Sequence, residues 1–225
     1  MTLTRLADTI VLARGWRRIL IAFLAGASSA LALPPTDAWP VPFVTFPILV
    51  WLVDGTAGWR LGGTLAAATA GWWFGFGYLL AGLYWTGYAF LVDAKTFGWL
   101  LPFAVVALPA AMAVYTAVGL ALARLIWTRG ATRVLSLAVA LTITEWLRGH
   151  LFSGFPWNAY GYAMISPLWL AQGAALIGIW AYRVGRARLG SAAACGMGIY
   201  TVRSEERRVG KECNASWGWR WWGGG

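Results

Sequence analysis

The residues with most to explain are Glu145 and Arg148, which stand three apart at the end of an otherwise apolar run. On a helix that spacing puts both on one face, where they can pair. A carboxylate embedded in an apolar segment is by default a functional candidate, as acid, base or proton carrier. A structural ion pair at the outer end of a helix is the simpler reading of the same two residues, and it is preferred. The run then breaks at Gly149, Gly154 and Pro156 into an aromatic loop, Phe155-Pro156-Trp157-Asn158, followed by Tyr160. Glycine and proline end helices there because one lacks conformational restraint and the other lacks a backbone donor.

Other reactive side chains give less. Lys211-Glu212-Cys213 offers an amine, a carboxylate and a thiol side by side, yet three consecutive residues cannot converge on one carbonyl. Their side chains alternate faces on a strand and diverge by about 100° on a helix. Cys195 has no acid or base close in sequence, and two cysteines establish no disulfide. His150 is the sole histidine, and no Cys or His cluster occurs at ligand spacing, so neither metal nor other cofactor is expected. Asp37, Asp54 and Asp93 fall in short loops and are expected to be solvated caps or turns. A glycine-rich phosphate loop, a serine elbow and a heptad repeat are all missing.

The elements that must position these groups read as membrane. Sixty per cent of the 225 residues are hydrophobic and 17 are tryptophan, with a mean hydropathy of +0.62; such a chain has lipid as its main solvent. The net charge of +10 does not indicate nucleic acid. Half of it lies in the last 45 residues and the rest falls between apolar runs.

Six runs are candidate spans: Ile19–Leu33, Val41–Val53, Leu61–Val92, Thr96–Ala123, Val134–Leu147 and about Pro167 to Trp180. The second is short against the roughly 17 to 25 residues that a crossing needs. The third is long enough for one span plus an aromatic continuation through Tyr84, Trp85 and Tyr88 toward an interface. Pro109 should kink the fourth. Arg5, Arg14, Arg17 and Arg18 make residues 1–18 a basic N-terminal segment. It has the layout of a signal-peptide n-region, but the continuing apolar runs favour a first span with a cytoplasmic N-terminus. That orientation also collects Arg60, Arg124, Arg129 and Arg133 inside, leaving Lys95 and Arg148 opposite. The Pro34–Pro40 turn, the Asp93 region and the FPWN loop then share the outer face.

The string Glu145-Trp146-Leu147-Arg148-Gly149, with Ser153-Gly154-Phe155-Pro156-Trp157-Asn158 and Gly161-Tyr162-Ala163, resembles the membrane-domain signature of bacterial apolipoprotein N-acyltransferases. Leu24-Ala25-Gly26, Gly75-Phe76-Gly77-Tyr78, Gly82-Leu83-Tyr84-Trp85 and Ala107-Leu108-Pro109-Ala110 extend the likeness in order, over residues 17–180. The resemblance implies an inner-membrane enzyme that moves an acyl chain from phospholipid, through a cysteine thioester, to the amino group of a diacylglyceryl-cysteine lipoprotein. It implies a Glu-Lys-Cys triad in a nitrilase-like domain: the carboxylate as base for the thiol, the lysine for the oxyanion.

The fold expected is therefore all-α, a polytopic transmembrane bundle over residues 19–180 with an irregular basic tail at 181–225. The string from Arg203 to Cys213 resembles a translated cloning artefact, so the native frame is expected to end near Trp180 and the catalytic domain to be missing. Residues 1–180 hold no cysteine, and no catalytic residue is assigned in this chain, which is expected to be inactive by itself. Glu145, Arg148, Phe155, Pro156, Trp157 and Tyr160 are the candidates for lipid access, with Trp157 and Tyr160 on its lateral opening. A small transporter, or a non-catalytic membrane interaction protein, is the alternative. A transporter would want intramembrane charges or broken helices in matching halves, and Glu145 alone comes near.

Overall fold

A computed structural model describes residues 3–56, 60–128, 132–152 and 154–164. Within them the chain is helical and contains no strand. The helices are α1 (Leu3–Val11), α2 (Trp16–Ser29), α3 (Pro42–Asp54), α4 (Arg60–Leu83), α5 (Ala94–Phe97), α6 (Leu101–Leu125) and α7 (Thr132–His150). Three-ten turns extend α2 at Ala30–Ala32 and α4 at Tyr84–Leu91, join α5 to α6 at Gly98–Leu100, and close the described chain at Tyr160–Met164.

Among the described residues one helical stretch, Ala94–Leu125, is long and apolar enough to cross a membrane, with a mean hydropathy of 2.0 over its apolar window. It combines α5, the three-ten turn and α6. Pro42–Asp54 is apolar but short, as its sequence run implies. The expected bundle of six spans is thus met in its helical character and, among the described residues, in one stretch long and apolar enough to cross. The run from Pro167 to Trp180 and the 181–225 tail lie outside the described residues.

Helix α4 is the centre of the packing, lying against α2 on one side and α6 on the other, with α7 on the far side of α6. Glycine lets these backbones meet. A Cβ on Gly26 of α2 would run into the Phe74 backbone carbonyl of α4. One on Gly71 of α4 would lie 2.7 Å from the Thr116 carbonyl of α6. Small residues at such crossings are how helices pack closely where water supplies little driving force. Phe74, Tyr78, Leu49, Leu52, Leu83 and Leu120 fill the space that remains, all nearly inaccessible.

Residues 1–18 contain the helix α1, packed on the end of α3. Asp54, expected as a solvated cap, is not one. Its carboxylate instead accepts from Trp127 Nε1 at 3.0 Å and pairs with Arg133 at 2.6 Å, tying α3 to the start of α7. Beside it the last carbonyls of α3 are taken up by arginines. Arg18 donates to the Leu52 and Gly55 carbonyls, and Arg124 donates to the Thr56 carbonyl. Cations belong there, because the carbonyl end of a helix carries partial negative charge and lacks internal donors.

Candidate functional site

Helix α7 delivers Glu145 and Arg148 to one face, and the chain then doubles back across that face. The reversal begins with Leu151 N–H on the Leu147 carbonyl at 2.7 Å, and Phe155 N–H returns to the Arg148 carbonyl at 2.9 Å. Gly154 has φ 71, and a Cβ there would lie 2.5 Å from the Gly149 carbonyl oxygen, so glycine is required. Phe152 also sits at positive φ, 56, a costly conformation for a bulky residue. The residue is 96% exposed. Asn158, at φ 51, is a residue type that tolerates this region.

The loop is fastened by the two charges. Arg148 donates to the Trp157 carbonyl at 2.9 Å and to the Asn158 carbonyl at 3.5 Å. Glu145 accepts the Tyr160 N–H at 2.7 Å and meets Arg148 at 3.4 Å. Both side chains are buried, with 8% and 4% of the Glu145 and Arg148 surfaces exposed. The pair is better described as a clasp on the loop backbone than as a bare ion pair. Its strongest contacts run from charge to peptide, and such charge-assisted bonds are worth more than neutral ones.

Tyr160 carries the attachment into the core. Its hydroxyl and Thr116 Oγ1 on α6 are 3.2 Å apart, and its ring lies 4.5 Å from Tyr78 and 5.8 Å from Phe46, centre to centre. The side chain is buried, so Tyr160 does not stand beside Trp157 as anticipated. It lines a separate groove of about 470 Å³ between α3 and α7. Phe155 packs half-buried on the core.

Pro156 and Trp157 face elsewhere, onto a cavity of about 950 Å³. Its other walls come from Ala27 to Leu31 at the end of α2, the Leu33–Asp37 turn, and Ala81, Gly82, Tyr84 and Trp85 at the end of α4. Trp157 is half exposed, and its ring is 5.5 Å from that of Trp85. The cavity is apolar along its helical walls and polar at Thr36, Asp37 and Asn158, which suits a molecule with a greasy body and a polar end. Of the six candidates, the structure brings Pro156 and Trp157 to this cavity. Glu145, Arg148, Phe155 and Tyr160 do not line it. Trp85 and the Pro34–Asp37 turn join the site although neither was singled out for it; the grouping of all these loops on one face was the available signal.

His150 turns away, its Nδ1 2.8 Å from the Trp146 carbonyl and its ring stacked on Trp146 at 4.4 Å. Among the described residues no cluster of acidic, His and Cys side chains could hold a metal ion.

Residues 25–184 match the family described as the apolipoprotein N-acyltransferase N-terminal domain. The chain belongs to that family. It is 64% identical over 178 residues to the apolipoprotein N-acyltransferase of Rhodopseudomonas palustris, covering 79% of this chain and 33% of the relative. The corresponding protein of Bradyrhizobium diazoefficiens is 56% identical over 178 residues, with the same coverage. That of Brucella suis is 49% identical over 181 residues, covering 79% and 34%. The chain therefore spans about a third of the length of the relatives it matches. The match takes in both the clasp and the cavity.

Proposed function

We propose that residues 19–180 form the multi-pass membrane domain of an acyltransferase, and that the loop-walled cavity admits phospholipid and lipoprotein acyl chains. The observation that carries this reading is the way two buried charges spend their hydrogen bonds on the backbone of one short loop. The effect is to hold Trp157 against Trp85 at the mouth of an amphiphile-sized cavity. Glu145 and Arg148 are positioning residues in this account. With its carboxylate committed to Tyr160 N–H and Arg148, Glu145 is poorly placed to move a proton.

The chain is oriented with its N-terminus in the cytoplasm of a bacterial inner membrane, so the loop faces outward, where exported lipoproteins would meet it. No residue of this chain is assigned to the chemistry. The family resemblance calls for a thiol nucleophile, and cysteine is lacking from residues 1–180.

The test is a graft. Residues 1–178 of this chain replace the matched region of the Rhodopseudomonas palustris relative, and acylation of a diacylglyceryl lipopeptide is measured. Activity within about tenfold of the parent, a change of roughly 1.4 kcal/mol, supports the reading. A stable, membrane-inserted graft without activity overturns it. This chain purified by itself should transfer no acyl group.

A further inference from the structure

At the end of α2 away from the cavity, the short link between α1 and α2 gathers exposed apolar, aromatic and basic side chains. Leu12 is 70% exposed and Trp16 68% exposed, with Arg14 and Arg17 exposed between and beside them. The Arg17 guanidinium lies 5.9 Å from the centre of the Trp16 ring. Gly15, at φ 57, makes the turn that swings α2 away from α1.

The other side of this elbow is fixed to the protein. Ile10 and Ala13 are buried, and the Val11 carbonyl sits so close to Gly55 that a Cβ there would collide with it. Arg18 turns inward to the end of α3. The outward residues are therefore anchored from behind and continue into the exposed Ile19, Leu20 and Leu24 of α2.

We propose that this elbow is a docking surface for an anionic lipid leaflet, with Leu12 and Trp16 set at the headgroup boundary and Arg14 and Arg17 pairing with acidic headgroups. Charge complementarity selects the occupant. A tryptophan beside arginines at the foot of an apolar helix matches the interface of a negatively charged leaflet. Water would leave the same leucine and tryptophan unfavourably exposed. Asp8, also exposed and one turn before Leu12, opposes the attraction and sharpens the test.

The experiment uses the full chain with Cys195→Ser, Cys213→Ser and Leu12→Cys, labelled with an environment-sensitive fluorophore. It is reconstituted in phosphatidylcholine vesicles, alone or as an equal mixture with phosphatidylglycerol. A nitroxide headgroup quencher is carried by one lipid or the other at matched density. The proposal expects stronger quenching by the nitroxide on phosphatidylglycerol, a further gain with Asp8→Asn, and parity when Arg14→Gln and Arg17→Gln are combined. Arg14→Lys with Arg17→Lys should keep the preference, which separates lost charge from lost fold. Equal quenching by the two lipids in the parent chain overturns the proposal. So does a probe reached by aqueous iodide as easily as a free peptide, or one shielded from iodide and lipid alike, since that would mean a protein covers the surface.

Discussion

Two acid–arginine pairs sit at opposite ends of the helices, and the shorter one is the less important. Arg133 and Asp54 approach to 2.6 Å, but their side chains remain 37% and 20% exposed. Arg148 and Glu145 are 3.4 Å apart and buried. A partly exposed pair contributes about 0–1 kcal/mol because water and salt compete for it. A buried pair costs several kcal/mol when one partner is removed, because the other charge is left without solvent. Proximity is thus a poor guide to energetic weight; the partners and the burial decide it. The exposed pair joins two helices, whereas the buried pair shapes a loop.

The largest effect should come from Arg148→Ala. It strands Glu145 and releases the Trp157 and Asn158 carbonyls, so a loss of about 3–5 kcal/mol is expected in denaturant unfolding in detergent. A loss below about 1 kcal/mol would mean that the clasp is dispensable. Glu145→Gln should be milder than Arg148→Ala, since an amide oxygen can still accept the Tyr160 N–H. Next comes Tyr160→Phe, which removes the hydroxyl partner of Thr116 and should cost about 1 kcal/mol by the same unfolding measurement. Smallest is Asp54→Asn, expected to cost less than about 1 kcal/mol and to lose even that at high salt. Salt should leave the Arg148→Ala difference unchanged. If instead salt narrowed that difference, the Glu145–Arg148 pair would be open to solvent and the contrast between the two ends would fail.

Local periodicity made much of this architecture legible. The apolar run Val41–Val53 became Pro42–Asp54, and Val134–Leu147 became Thr132–His150, lengthened by polar residues at both ends, Thr132 and Arg133 before it and Arg148 to His150 after it. The run Leu61–Val92, longer than one span needs, divides into α4 and a three-ten turn over Tyr84–Leu91. Contacts made at a distance were harder to read. Asp54 and Arg133 are 79 residues apart, and neither periodicity nor spacing could join them. The sequence sets Tyr160 with Trp157 at the lateral opening, yet Thr116 supplies a buried partner for its hydroxyl. The Glu145–Arg148 spacing was visible, but not the backbone groups that both side chains bind, because those depend on the path of the loop. Helix α1 has no continuous apolar signature because charges interrupt a short run, and its packing on α3 is a tertiary contact.

The most direct test of the central claim is photo-crosslinking of a phospholipid with a diazirine-bearing acyl chain to the membrane-inserted chain, followed by mapping of the modified residues. Labels should appear on the Pro156–Asn158 segment and on Trp85 in the parent chain. They should persist in Glu145→Gln and disappear from that segment in Arg148→Ala. Unchanged labelling in Arg148→Ala, or labels in the parent that avoid the cavity altogether, would contradict a clasp that holds the loop for lipid.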